Sequence, residues 1–364
     1  MKNKKSTYIS ILLFFIGIIL IILSSSISFA MDFQNIISIG NSIDGKKESD
    51  ENVLSARYEN VVNIRLSFIG DSLIGSFKGE NYAGNFRELL ENNNYSYPYK
   101  NVSHIFLNDD FTIANGENVF TDNDLIEIEK DHTPAYWYYA PTRFANIYKE
   151  SGIEVVSVMN NHTYDYGDIG YSDTVNALKE TDALVGEEKP IILEKDNIKI
   201  AVLCINLFSR FQYDACVEDI LKIKNTVDYV IVYFHGGQEY SYVPTSEIVE
   251  YARGFIDNGA DLVVGAHPHV LEPIETYKNK TIVYSLGSFL FGGTKYFSNR
   301  TAIYQKELVF SLDKNDVQEK DVIIPCYLYT GDTGYESWIP SIITNDDERQ
   351  KVLDFMNGLV DSPI

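Results

Sequence analysis

The chain has 364 residues, with 30 basic and 52 acidic side chains, a formal charge of −22, three Cys and six His. That length suits one large or two ordinary domains, and 45% hydrophobic with 13% aromatic residues is not the composition of a disordered chain. The acidity excludes broad binding to nucleic acid, which needs many Lys and Arg contacts to phosphate, and three Cys without CxxC spacing exclude a disulfide framework and a thiolate zinc site.

The N-terminus is the one cationic stretch. MKNKK leads into an apolar run from Tyr8 to Leu23 and then SSSISFA, which places Ser28 and Ala30 in a small-x-small cleavage pattern. Two readings of residues 1–30 stand side by side, a signal peptide cleaved after Ala30 and an N-terminal membrane anchor. Both keep the Lys cluster inside and export the remainder, so the body is expected at the outer face of the cell membrane or secreted. Setting aside the three Lys of this tip leaves 27 basic and 52 acidic groups, a charge of −25. Residues 31–60 turn polar, with GKKESDEN among them, and read as a stalk.

From residue 61 the chain alternates strand and helix. VVNIRLSFIG (61–70) alternates apolar and polar positions, and DFTIAN (110–115) and IEVVSVMN (153–160) are short β-branched runs. IKIAVLCIN, DYVIVYF and DLVVGA continue the series to Ala266. Between them, a helix is expected from Thr142 to Ser151, stopped by Gly152, and another from Pro244, suited to a first turn, to Gly259. After Thr301, AIYQKELVF and DVIIPCYLY point to a strand-rich C-terminal extension of the same domain. The fold class is therefore α/β, a layered domain over residues 61–300 extended by residues 301–364.

The residues that follow the strands carry chemistry. Asp71 follows the first, Asn115 and Glu117 the second, Asn161 and His162 the third; His235 follows DYVIVYF, and His267 and His269 follow DLVVGA. Ligands of open α/β sheets bind outside the carboxyl ends of the strands, so five segments deliver Asp, Glu, Asn or His to one edge. Carboxylates and imidazoles of this kind suit divalent Mn, Zn or Fe. A pair of such ions activates water and neutralises charge on attacked and leaving oxygens. Pro268 stiffens His267-Pro-His269, and an extended segment there would put both imidazoles on one side. Asn161 offers an amide oxygen to metal while His162 handles a proton. Each piece alone has an ordinary structural reading, and Asn161-His-Thr also scans as a glycosylation sequon. Four of the six His fall in this constellation; His104 and His132 read as solvated loop residues.

The ordered set F-I-G-D (68–71), N-x-E (115–117), N-N-H-T-Y-D-Y-G (160–167), H-G-G-Q-E-Y (235–240), G-A-H-P-H-V (265–270) and Y-S-L-G-S-F (284–289) resembles the CapA family of poly-γ-glutamate capsule biosynthesis proteins. That family is similar to the calcineurin-like metallophosphoesterases, and the match covers about Asn63 to Phe291. The resemblance implies a metallophosphatase β-sandwich flanked by helices in an extracytoplasmic, membrane-anchored protein. It implies partners too, poly-γ-glutamate or another cell-envelope polymer and membrane-bound capsule synthase subunits. By position it implies Asp71, Glu117 and His269 around one ion, with Glu117 as the bridge, and Asn161, His235 and His267 at a second. His162 would be the general acid, oriented by Asp165, and Asn115, Glu239, Ser72 and Ser288 would line the site or support its ligands.

The match has three departures. Asp71-Ser72-Leu73 stands where metallophosphoesterases have D-x-H, which removes a His from the first ion and opens the alternative of a one-metal or degenerate site. Leu286-Gly287-Ser288-Phe289 stands for L-G-N-F, and Asn115-Gly116-Glu117 for N-L-E, which adds backbone freedom before the bridge. Gly70-Asp71-Ser72-Leu73 also spells the start of a GDSL-type esterase with Ser72 as nucleophile, although the chain contains no Asp-x-x-His to serve it. The sequence leaves three functions open: a metal-dependent hydrolase or transferase for a phosphoester or γ-glutamyl chain, a noncatalytic subunit of a polymer synthesis and export complex, and an anchored surface domain with a vestigial site.

Overall fold

The structure, a computed structural model, describes residues 61–78, 86–131, 134–291, 299–312, 316–330 and 339–364. The expected leader or anchor at 1–30, the stalk at 31–60 and His132 lie outside them. No helix among the described residues is long and apolar enough to cross a membrane.

The first half of the chain runs β1 (Val61–Leu73), α1 (Phe86–Asn92), α2 (Ser103–Phe106), β2 (Phe111–Gly116), β3 (Val119–Phe120), β4 (Tyr139–Ala140), α3 (Asn146–Ser151), β5 (Val155–Ser157), α4 (Gly167–Glu180) and β6 (Leu184–Gly186). The second runs β7 (Ile191–Lys195), β8 (Ile198–Asn206), α5 (Arg210–Ile223), β9 (Tyr229–His235), α6 (Ser246–Asn258), β10 (Leu262–Ala266), β11 (Leu271–Tyr277) and β12 (Lys280–Leu286). It closes with β13 (Ser288–Phe291), β14 (Thr301–Ser311), β15 (Asp316–Tyr327), β16 (Ser341–Ile342) and α7 (Asp346–Met356).

These strands form an eight-stranded sheet ordered β16-β15-β14-β1-β2-β5-β6, with β13 also on β1, and a six-stranded sheet ordered β11-β12-β10-β9-β8-β7. Each has a parallel centre, β1-β2-β5-β6 in one and β12-β10-β9-β8 in the other. Residues after 300 do not hang off the end of this arrangement, because β14 lies directly beside β1.

Strand alternation builds the layers. Along β9, Tyr229, Ile231 and Tyr233 join Val62, Ile64, Leu66 and Phe68 of β1 in a core between the sheets, while Val230, Val232 and Phe234 face α5 and α6. On the other side Ala114 and Val156 pack under Phe86 and Leu89 of α1, Tyr148 of α3 and Leu178 of α4. The result is a β-sandwich covered by helices on both outer faces, the α/β class read from the sequence.

Helix ends follow local chemistry. The expected Thr142–Ser151 helix begins as a 3-10 turn over Thr142–Ala145 before α3, and Gly152 closes it at φ 78°. Pro244 precedes α6 instead of opening it: the Thr245 side chain accepts from the Ile248 N–H at 3.3 Å, and Gly259 ends the helix at φ 120°. His104 is exposed, as expected, but lies on α2, not in a loop.

Candidate metal centre

Asp71 sits where β1 slips register with both neighbours, between Phe68 and Asp71 against β2 and between Asp71 and Ser72 against β13. The strand therefore runs through Asp71, not up to it, and the irregularity re-aims consecutive side chains. The Asp71 carboxylate accepts from Asn115 Nδ2 at 2.9 Å and from the His267 backbone N–H at 3.2 Å. The Ser72 hydroxyl instead lies 2.9 Å from that of Tyr99, within the core under the helices. Asn160 Nδ2 donates to Asn115 Oδ1 at 3.0 Å, so a buried amide relay fixes the carboxylate.

Gly116 does not supply backbone freedom before Glu117. A Cβ there would stand 2.8 Å from Val156 Cγ1 and 3.1 Å from the Tyr148 hydroxyl, so glycine is needed for close approach of β2 to β5 and α3. Glu117 follows directly and is 1% exposed, with neither carboxylate oxygen hydrogen-bonded among the described residues. Its Oε1 lies 3.7 Å from both His235 Nε2 and His269 Nε2. Burial pushes its carboxyl well above the ordinary value, and the charges of Asp71, Glu239 and Asp165 push it further. A buried carboxylate without donors is strongly disfavoured unless a cation shares the space.

The six-stranded sheet supplies the imidazoles. His235, the last residue of β9, has Nε2 2.9 Å from Asn161 Oδ1 and 3.0 Å from His267 Nδ1. His267 and His269 are not in an extended segment: φ is 100° and 60°, so the chain bends sharply around Pro268. Such values in a bulky residue cost about 1–3 kcal/mol each and collect at functional sites. Both rings still enter the cluster. Burial holds His235 below its ordinary value against the pull of Asp71, and holds His267 well below, helped by His235 and His269. Neutral imidazoles are the form that binds metal. Burial raises the Asp71 carboxyl, but hydrogen bonds to His235 and His269 outweigh it and keep it ionised.

The ligand atoms fall into two groups, Asp71, Glu117 and His235, and Glu117, His267 and His269, each within 4.8 Å of one another. Glu117 belongs to both, the place of a bridging carboxylate. The imidazoles are shared between the groups: His235 Nδ1 lies 3.5 Å from Asp71 Oδ1, while its Nε2 is 3.0 Å from His267 Nδ1. His269 Nδ1 lies 3.1 Å from Asp71 Oδ2 and 3.2 Å from Ser288 Oγ, which leaves its Nε2 turned to Glu117. A donor set of two carboxylates and three imidazoles fits one or two divalent ions of the Mn, Zn, Fe class.

His162 stands beside this cluster. Its Nδ1 lies 2.7 Å from Asp165 Oδ2, which also accepts the Tyr138 N–H at 2.8 Å, and Lys130 Nζ reaches Asp165 Oδ1 at 2.5 Å. The Tyr138 ring packs 4.6 Å from the imidazole. Burial keeps His162 below its ordinary value against the opposing effect of Asp165.

The fold thus brings Asp71, Asn115, Glu117, Asn161, His162, Asp165, His235, His267, His269 and Ser288 to one place. Asn161 is exposed at the rim, and Glu239 is exposed on the loop after β9, where it acts on Glu117 through charge. Ser72 is set apart from the imidazoles by its bond to Tyr99. Sequence reasoning gave no role to Asn160, Lys130 or Tyr138. Asn160 was signalled by the doubled Asn before His162; Lys130 and Tyr138 lie on an irregular segment with no periodicity to mark them.

The family described as bacterial capsule synthesis protein PGA_cap matches residues 65–293, more than half of the chain. The Capsule biosynthesis protein CapA of Bacillus anthracis is 28% identical over 270 residues, covering 66% of this chain and 63% of that protein. The PGA biosynthesis protein CapA of Bacillus subtilis (strain 168) is 31% identical over 252 residues, covering 62% and 65%. The chain therefore spans somewhat under two thirds of the length of these relatives. Among solved structures, a Thermus thermophilus protein aligns over 71% of this chain and 99% of its own, with TM-score 0.38 and 10% identity. An archaeal phosphodiesterase aligns over 71% and 100%, with TM-score 0.30 and 9% identity.

Proposed function

The chain belongs to the bacterial capsule synthesis protein PGA_cap family, and from that premise we propose that it is a metal-dependent hydrolase of poly-γ-glutamate capsule synthesis, using water to cleave a phosphoester or a γ-glutamyl bond. The observation that carries this reading is Glu117, a buried carboxylate with no hydrogen-bond donor among the described residues, common to both ligand groups. Asp71, Glu117, His235, His267 and His269 would hold the metal, with Asn161 at the rim. When bound, a divalent ion supplies Lewis acidity and a more acidic water. Asn115 and Asn160 keep Asp71 in place. With Nδ1 engaged by Asp165, His162 exchanges protons at Nε2, the role of a general acid toward the leaving group. Lys130 neutralises the Asp165 carboxylate behind it. The same reading places the domain outside the cell behind an N-terminal leader or anchor, working on the polymer beside membrane-bound synthase subunits.

Leu73 favours a second reading. It occupies the D-x-H position and packs with Phe291 and Leu328 instead of offering an imidazole, which suits a noncatalytic subunit that holds metal and polymer. Cleavage assays separate the two. The purified chain, loaded in turn with Mn, Zn and Fe, is given a phosphodiester and γ-linked polyglutamate, beside a Glu117→Ala, His235→Ala variant. Metal-dependent cleavage that the variant lacks supports the hydrolase; bound metal without cleavage of either substrate supports the subunit and sinks the hydrolase.

A further inference from the structure

Tyr138 stands beside the metal cluster and is tied to the residues that fix His162. Its backbone N–H donates to Asp165 Oδ2 at 2.8 Å, and its ring centroid lies 4.6 Å from that of the His162 imidazole at an angle of 57°. Phe291, whose ring is 5.0 Å from that of His269, meets Tyr138 at 6.4 Å and 77°, and Phe77 and Tyr136 pack on it at 5.2 and 6.3 Å. Contact with four rings holds the side chain in one orientation. Tyr138 also packs against the cluster of Leu73, Phe291 and Leu328. Where the D-x-H pattern would put an imidazole, this chain therefore has an apolar wall with a phenol laid against it.

The hydroxyl of this phenol is open. It makes no hydrogen bond among the described residues, and it differs from the hydroxyls of Tyr148 and Tyr166, which are unbonded but sealed from solvent; Tyr138 is only partly buried. Burial raises the phenol above its ordinary value, and among the charges that add to this Glu117 acts most strongly, ahead of Asp165. The O–H therefore stays protonated at neutral pH and lies within electrostatic reach of the carboxylate common to both ligand groups. Two neighbouring donors are already engaged, Lys130 Nζ by Asp165 at 2.5 Å and the Tyr240 phenol by Glu239. An unbonded O–H beside the group that protonates the leaving group is a donor suited to an oxygen that gains negative charge.

We propose that Tyr138 is a catalytic residue, whose hydroxyl donates a hydrogen bond to the substrate oxygen that becomes negative when water attacks the phosphorus or the carbonyl carbon. The proposal rests on the reading of the protein as a metal-dependent hydrolase, and it adds the protein's own donor to the developing charge. Water oxygen bonds to the attacked atom and the bond to the leaving group breaks. The leaving group takes a proton from His162, and the proton that water releases restores it. Tyr138 keeps its own proton throughout, so its contribution is electrostatic.

The test compares wild type, Tyr138→Phe and Tyr240→Phe, each full length and loaded with Mn. Calorimetric titration with inorganic phosphate reads the donor without turnover. Tyr138→Phe should bind phosphate at least about tenfold more weakly, the loss of one hydrogen bond to a charged acceptor, with bound Mn and melting temperature unchanged because the hydroxyl has no partner within the described protein. On whichever of the phosphodiester and γ-linked polyglutamate is cleaved, it should lower kcat by about 10²–10³-fold with KM little changed. Tyr240→Phe should bind phosphate as wild type does. Equal phosphate affinity in wild type and Tyr138→Phe would overturn the proposal, as would no phosphate binding by Mn-loaded wild type, a loss confined to Tyr240→Phe, or a Tyr138→Phe chain that has lost its Mn. The failure of the hydrolase reads differently. Tyr138-dependent phosphate binding without cleavage of either substrate removes the hydrolase and supports the phenol as oxyanion donor, whereas metal-dependent cleavage with wild-type kcat in Tyr138→Phe removes the donor alone.

Discussion

Glu117→Gln should reverse the order of stability of wild type and variant according to metal. In chelator, the isosteric amide removes a buried carboxylate that has no donor among the described residues, a burden on the order of 1–3 kcal/mol. At roughly 2 to 4 °C per kcal/mol for a large domain, the variant should melt several degrees above wild type. The gain is pH-dependent with a definite sign. The folded-state pKa of Glu117 lies well above its unfolded value, so wild-type stability is full below the unfolded pKa and is lost as pH rises through the folded one. The advantage of Glu117→Gln should therefore be larger at pH 8.5 than at pH 6. With Mn at a hundredfold excess over its dissociation constant, wild type gains about 2.7 kcal/mol by linkage, whereas the variant, deprived of the shared ligand, gains little. Differential scanning fluorimetry in chelator and in Mn reads both orders. Equal Mn-induced shifts in the two proteins would refute the assignment of Glu117 as the shared ligand.

Lys130→Met should lower hydrolytic turnover at least about tenfold with bound metal intact, and cost about 3–5 kcal/mol, because it leaves the buried Asp165 carboxylate without its cation; metal analysis, kinetics and denaturant melts check the three parts. Ser72→Ala should cost about 1 kcal/mol through the lost Tyr99 hydrogen bond and leave metal-dependent hydrolysis intact; loss of activity at normal metal content would revive Ser72 as a nucleophile. Burial pushes the Glu272 carboxyl up to about 8, so its stability contribution is full below about 4.5 and lost as pH rises through 8. Glu272→Gln should remove that slope, making the variant more stable than wild type above pH 8 by at most on the order of 5 kcal/mol, as read by melts from pH 4 to 9.

Periodicity made the layers legible. The alternation Tyr229-Val230-Ile231-Val232 reports a strand buried on both faces, and β-branched runs followed by chemical residues gave both the sheets and the edge where the site lies. What escaped was set by tertiary geometry. The register slip that turns Asp71 toward the imidazoles and Ser72 toward Tyr99 depends on β2 and β13 pairing with one strand at once. The bend at Pro268 places two His at positive φ, which no local pattern foretells because the cost is offset by contacts from other segments. Gly116 read locally as freedom, whereas its reason is the distance to Val156 and Tyr148, residues far along the chain. Lys130 joins the site through its ion pair with Asp165, and a single Lys in an acidic loop carries no sequence mark of that role.

Glu117 and the three imidazoles together make a donor set for a divalent metal. It is tested most directly by elemental analysis of the full-length chain reconstituted with Mn, Zn or Fe and dialysed, beside His235→Ala. One or two divalent ions per wild-type chain, and a loss of at least one in the variant, are expected. A wild-type chain that retains no metal, or a His235→Ala chain that retains as much as wild type, would contradict it.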